Sequence, residues 1–249
     1  MIWGHYMGKE IIFIHGSGDN GRIWRSQTAY FQSSPSHIHA IDLPGHGQRQ
    51  DTLPATVTVQ DYARTVYDIM NDELHLPHAI IAGHSLGGAI ALSMALTYPQ
   101  NVQGLILIGT GARLKVAPML LEATRLTPDT ARSMLAEWSM LPQNIPTTGP
   151  AIASDQQADQ PSMLYRDLAA CNVFDCMERL YEIQKPALIL CGAQDRLTPP
   201  KYSEYLHQHL ANSTLQIIDQ AGHYVMREQP DAVNGNIAEW LRQFPDESR

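Results

Sequence analysis

Gly83-His84-Ser85-Leu86-Gly87 places a serine between two glycines, each two residues away. The apolar, partly β-branched run Ala79-Ile80-Ile81-Ala82 precedes it and reads as a short buried strand. The Ala/Leu/Met-rich stretch that follows reads as a helix ending before Pro99. A serine on such a strand-to-helix turn holds a strained backbone and lifts its hydroxyl above the sheet. A Cβ at either flanking glycine would strike the neighbouring strand or helix. The pentapeptide also arises by chance in glycine turns, so its flanking elements, more than its letters, make Ser85 a candidate nucleophile.

A serine hydroxyl needs a base, and the base needs something to orient it. Histidine suits the first task because its pKa lies near the working pH. Among eleven histidines, His223 stands out by position in Asp219-Gln220-Ala221-Gly222-His223, just past the last expected strand. The His84 side chain is expected to point away from that of Ser85, whereas His15 and His46 fall in loops at the same end of the sheet and are candidates to line the site. His5, His37, His39, His75, His78, His207 and His209 read as surface or connector positions. The orienting carboxylate is expected at Asp195, in the turn after Cys191. Helix capping or a salt bridge with Arg196 is the structural alternative for that side chain. Asp219 is the rival carboxylate, but it lies too close to His223 in the chain to reach across readily. The order Ser85, Asp195, His223 distinguishes this arrangement from other serine triads.

An acyl-transfer site also needs N–H donors for the developing oxyanion. The backbone N–H of Leu86, in the first turn of the helix, is one candidate. That of Ser17, in the loop His15-Gly16-Ser17-Gly18, is the second; a plain glycine turn is the alternative there.

These residues need a scaffold. Strands are expected at Glu10–Gly16, His37–Leu43, Ala79–Ala82, Val102–Ile108, Ala187–Cys191 and Thr214–Ile218. Helices are expected at Ile23–Phe31, Thr58–Leu74, Pro199–Leu210 and Pro230–Phe244, besides the one after Ser85. Strands alternating with helices predict an α/β fold with a mostly parallel sheet covered on both faces. Thr110–Gln184 is too long for one crossover. It shows helical patterns at Ala117–Arg125, Pro128–Leu141 and Met163–Glu182, with Thr127 as an N-cap ahead of Pro128. The Pro/Gly/Gln-rich stretch from Pro142 to Pro161 reads as a loop. The expected organisation is a core of residues 1–111 and 185–249, with a helical insertion of 112–184 above the carboxyl ends of the strands.

Composition narrows the function classes. The 249 residues carry a formal net charge of −8, which argues against nucleic acid or an anionic membrane surface as partner. No stretch approaches the length of a membrane span, and the amino terminus lacks a secretion-signal pattern. Cys171, Cys176 and Cys191 form no C-x-x-C pair. Reduced thiols in a cytoplasmic protein, a monomer or small homo-oligomer, are the expectation.

His15-Gly16-Ser17-Gly18, Asp42-Leu43-Pro44-Gly45-His46-Gly47, Gly83-His84-Ser85-Leu86-Gly87-Gly88, the Gly192…Asp195 loop and Gly222-His223 occur in that order. Together they resemble the α/β-hydrolase superfamily, in its small bacterial esterase-like branch with a helical cap. The resemblance runs from about Glu10 to Phe244. It implies a two-step acyl transfer in which Ser85 attacks the carbonyl, His223 takes the proton, and water later releases the acid, with no metal or organic cofactor. Serine at residue 85 argues against the dehalogenase and epoxide-hydrolase branches, which carry aspartate there. Two features depart from the family pattern. Only Met1–Gly8 precede the first strand, so the sheet is expected to lack one or two strands. Gln48-Arg49 also stand where relatives often have serine.

Met119, Leu120, Met134, Leu135, Trp138 and Met140 are the expected pocket-facing side chains of the insertion; packing cap on core is the plainer reading of each. They suggest small to medium uncharged acyl esters as substrates. A carbon–carbon hydrolase of vinylogous diketone acids, a thioesterase or lactonase, and a small-molecule receptor are the alternatives.

Overall fold

The computed structural model describes residues 8–156 and 161–244 of the chain. Its centre is a parallel sheet of six strands among the described residues: β1 (Glu10–Ile14), β2 (His37–Ile41), β3 (Ala79–His84), β4 (Val102–Ile108), β5 (Ala187–Gly192) and β6 (Ser213–Ile218). Their order across the sheet is β2-β1-β3-β4-β5-β6, every pair parallel. The inner strands β3 and β5 are buried at every residue, and the edge strands β2 and β6 are not. Uninterrupted apolar runs are what a parallel sheet covered on both faces requires.

Side chains alternate between two cores, as strand geometry dictates. Ile12, Ile14, Ile81, Leu105, Leu107 and Ile189 face one, together with α2 (Val59–Asp68), α3 (Leu86–Thr97) and α8 (Pro200–His209). Ile11, Phe13, Ile80, Ile106 and Leu188 face the other, covered by α1 (Arg25–Phe31) and the last helix, α10 (Pro230–Gln243). Helix α2 buries Val59, Tyr62, Ala63 and Val66 at helical spacing and starts in a capping box formed by Thr58 and Asp61. Helix α3 is buried all round from Leu86 to Ala95, because it is packed between the sheet and α2.

Between β4 and β5 lie α4 (Pro118–Leu126), α5 (Pro128–Ser139), α6 (Ile145–Gln156) and α7 (Pro161–Val173). Three expectations for this stretch are corrected. The segment read as a loop contains α6, with Pro146 in its first turn and Pro150 within it. Ile145 and Ile152 join the core that holds Ile23 and Trp24, and this burial outweighs a poor helix propensity. The helix expected over Met163–Glu182 ends at Val173. A bridge between Arg113 and Asp175 and a 3-10 turn at Met177–Glu182 follow it. Thr127 makes no side-chain cap, although Pro128 does open α5.

The turn at residue 85 depends on close approach. A Cβ on Gly83 would lie 2.1 Å from the backbone of Gly87, and one on Gly87 would lie 2.3 Å from the carbonyl oxygen of Ile14. Neither neighbour can give way. Gly235, in the middle of α10, has nothing within 4 Å of the same position. Gly83→Ala is therefore expected to lower stability by about 3 kcal/mol or more, as overpacking against backbone does. Gly235→Ala should raise it by about 0.5–1 kcal/mol through helix propensity. Urea unfolding of the two variants checks both signs.

Candidate active site

Four of the strands deliver loops to one end of the sheet, where a cavity of about 680 Å³ opens. Ser17 and Asp19 line it after β1, Ser85 after β3, Thr198 after β5 and His223 after β6. Side chains of α4, α5, α6 and α7 complete its wall.

Ser85 has φ 53° and ψ −113°, a conformation costly for a residue with a side chain. Its N–H donates to the Ile108 carbonyl at 3.0 Å, and its own carbonyl accepts from the Thr110 hydroxyl and the N–H groups of Gly88 and Ala89. These bonds lock the turn. Leu86 begins α3, so its N–H has no partner within the helix.

His223 and Asp195 meet at 2.8 Å, Nδ1 to Oδ2. A carboxylate can only accept, so Nδ1 carries the hydrogen and Nε2 is left as the basic nitrogen. The Thr198 hydroxyl bonds Asp195 Oδ2 at 2.9 Å and stands 3.1 Å from His223 Nδ1. The other carboxylate oxygen of Asp195 accepts the N–H groups of Leu197 and Thr198, both at 2.9 Å. The loop-capping bonds offered as an alternative for Asp195 thus coexist with the histidine contact, one on each oxygen. Burial would raise the pKa of this carboxyl, but the His223 contact and the Thr198 donors outweigh it and hold the group below its ordinary value.

The other buried histidines serve the scaffold of the site. His84 borders the same cavity and donates from Nε2 to the His223 carbonyl at 3.0 Å. Burial, with His223 beside it, pushes its pKa well down, so it is neutral. His15 and His46 lie beneath the cavity, not on its wall. His15 Nε2 accepts the Leu43 N–H at 3.0 Å, and its Nδ1 donates to Gly16 O at 2.8 Å. Both nitrogens of His46 face oxygens, the Pro44 carbonyl at 3.1 Å and Asp167 at 2.9 Å, so both carry hydrogen. His37, His39, His75, His78, His207 and His209 are exposed or half-buried, and His5 lies outside the described residues.

Ser17 occupies a turn closed by Asp19 N–H to Gly16 O, with Gly18 at φ 67°, the left-handed position a type II turn requires. Of the six side chains expected to face the pocket, Leu120, Leu135, Trp138 and Met140 do so. Met134 packs in a cluster formed by α4, α5 and α7, and Met119 is 62% exposed. Cys171 also lines the cavity, where burial pushes its thiol up to about 12. Sequence reasoning missed Thr198, Asp19 and the Arg166-Asp167 pair of α7. Only Thr198 had a local signal, its position three residues after Asp195 at a helix entry. Among the described residues no group of three or more His, Cys, Asp or Glu side chains could hold a metal ion.

A sequence model described as the alpha/beta hydrolase family matches residues 11–235. The chain belongs to the alpha/beta hydrolase family. This alpha/beta hydrolase is 29% identical to a pimeloyl-[acyl-carrier protein] methyl ester esterase of Neisseria meningitidis serogroup C, over 86% of each chain. It is 26% identical to a 2-hydroxy-6-oxononadienedioate/2-hydroxy-6-oxononatrienedioate hydrolase of Burkholderia vietnamiensis, over 94% of this chain and 88% of that protein. A thermophilic esterase of known structure superposes with a TM-score of 0.82 at 30% identity, over 95% of this chain and 90% of its own.

The buried histidines make a pH prediction. Burial, and then the charge of neighbouring His46, lower the pKa of His15 from 6.5 to about 4. Between those values the unfolded chain binds a proton at His15 that the folded chain refuses, so stability falls as the pH drops through this window. His15→Gln removes that contribution. The stability of the wild type relative to the variant should fall by up to about 1.4 kcal/mol per pH unit on acidification, read from urea unfolding.

Proposed function

We propose that this alpha/beta hydrolase cleaves carboxylic esters of small to medium, uncharged acyl chains. Ser85 is the nucleophile. His223 Nε2 takes its proton as the carbonyl is attacked, and Asp195 holds the imidazole in the required tautomer and stabilises the imidazolium. The N–H groups of Ser17 and Leu86 receive the oxyanion, and a helix N-terminus suits that charge. The alcohol leaves with the proton from His223. Water, deprotonated by the same nitrogen, then attacks the acyl-enzyme and releases the acid. Residues 112–184 act as the cap that shapes the acyl pocket over a core of 1–111 and 185–249.

One observation carries this reading: a strained Ser85 and His223, the latter held from behind by Asp195, line a single cavity. The cavity's wall from Leu114, Val116, Leu120, Leu135, Trp138 and Leu168 supports an apolar acyl group. The likeness to a methyl ester esterase and to a thermophilic esterase supports the ester bond. The likeness to the oxononadienedioate hydrolase supports a second reading, carbon–carbon cleavage on the same residues.

A graded series of p-nitrophenyl acyl esters tests the proposal. The wild type is expected to hydrolyse short and medium chains best, and Ser85→Ala to lower kcat/KM by about 10⁴-fold or more. Activity that survives in Ser85→Ala would remove that residue as nucleophile. A wild type inert toward every ester, yet active on a vinylogous diketone acid, would favour the second reading.

A further inference from the structure

One face of α7 is built around the turn that holds Ser17. Leu164, Asp167 and Cys171 share that face, at spacings of three and four residues. Leu164 stands against Gly18, with its Cδ1 3.0 Å from where a Cβ of that glycine would lie. Asp167 Oδ2 accepts the Gly18 N–H at 2.9 Å. Cys171 Sγ lies 3.7 Å from Ser17 Oγ.

Asp167 is fully buried and ties together segments far apart in the chain. Besides Gly18 it accepts from His46 Nε2 at 2.9 Å and from the Tyr62 hydroxyl at 2.5 Å. Its neighbour Arg166 anchors the same helix to the core. Arg166 bonds Asp51 through both carboxylate oxygens and donates to the Pro44 carbonyl and the Tyr62 hydroxyl.

The Gly18 N–H belongs to the central peptide of the Gly16–Asp19 turn, the unit that rotates when a type II turn converts to type I. With that N–H on Asp167, the Ser17 carbonyl points away from the carboxylate. Rotation would bring carbonyl oxygen against carboxylate oxygen and break a hydrogen bond to a charged acceptor, the stronger kind. The turn's own closing bond, Asp19 N to Gly16 O, is long at 3.3 Å and holds the peptide weakly.

We infer that Asp167 is a positioning residue for catalysis: by holding the Gly18 N–H it seats the Gly16–Asp19 turn against α7, and so fixes the place of the Ser17 N–H, on the peptide just before, relative to the oxyanion. The inference rests on the roles proposed above for Ser17 and Ser85. Asp167 touches no reacting atom; it acts through Gly18.

Kinetics of five variants on one p-nitrophenyl ester, with inhibition by phenylboronic acid, test it. The boronate adds to the nucleophile and presents a tetrahedral oxygen to the same donors. Asp167→Ala should lower kcat by about 10- to 100-fold, leave KM within about threefold, and weaken boronate inhibition by a similar factor. Asp167→Asn retains a carbonyl oxygen for Gly18 and should recover most of kcat. Tyr62→Phe removes a different donor from the same carboxylate. It should lower the melting temperature while leaving kcat and boronate inhibition within about twofold. If Asp167→Ala does not fold, His46→Leu/Asp167→Leu removes both members of the buried pair, leaves no lone charge, and should show the same kcat and boronate losses. Full kcat and boronate affinity in folded Asp167→Ala, or in the double leucine variant, would overturn the inference. So would equal losses in Tyr62→Phe, which would mark a purely structural network. Activity persisting in Ser85→Ala would instead overturn the nucleophile assignment beneath it.

Discussion

A serine held at φ 53° is the constraint from which the rest of this site follows. Such a backbone costs roughly 1–3 kcal/mol and persists only where its surroundings over-determine it. Here β3 lies so close to α3 at Gly83, and α3 so close to β1 at Gly87, that neither residue could carry a Cβ, and Ile108 and Thr110 at the end of β4 hold the peptide groups of Ser85. The sheet cannot keep this packing without projecting Ser85 at its carboxyl end. The loops after β1, β5 and β6 open at that same end, because every strand runs in the same direction.

The helices between β4 and β5 are fastened to this end chiefly by buried polar bonds. On one side Arg166 and Asp167 reach Asp51, Pro44, His46, Gly18 and Tyr62. On the other, the Ser139 carbonyl accepts the N–H groups of His223 and Tyr224. Glu228 bridges Gly222 to Leu141 and Asn144. The backbone of His223 is therefore placed by α5 as well as by the strand before it. Networks of this kind are specific because a buried group left unpaired is costly. The apolar side chains between the two anchors are thereby left to face the cavity.

Two neutral histidines and one carrying hydrogen on both nitrogens show how the environment sorts identical side chains. His15 and His84 are each bonded to a carbonyl and starved of solvent, which disfavours their charged forms. His46 lies between a carbonyl and a buried carboxylate, where both ring hydrogens find acceptors. No local pattern distinguishes these three in the chain.

The strand-to-helix turn, the alternating parallel architecture and the positions of Ser85, Asp195 and His223 at strand ends were legible in the sequence. Each depends on hydrophobic periodicity and on glycines at sharp turns, and those signals are local. Helix α6 was not legible, because its Pro/Gly-rich residues fold only against a surface formed elsewhere in the chain. The fastening of α7 was hidden for the same reason. Asp167 meets Gly18 across 149 residues of chain and Tyr62 across 105. Burial converts those distant donors into obligatory partners, and burial is settled only when the sheet and its helices have closed over them.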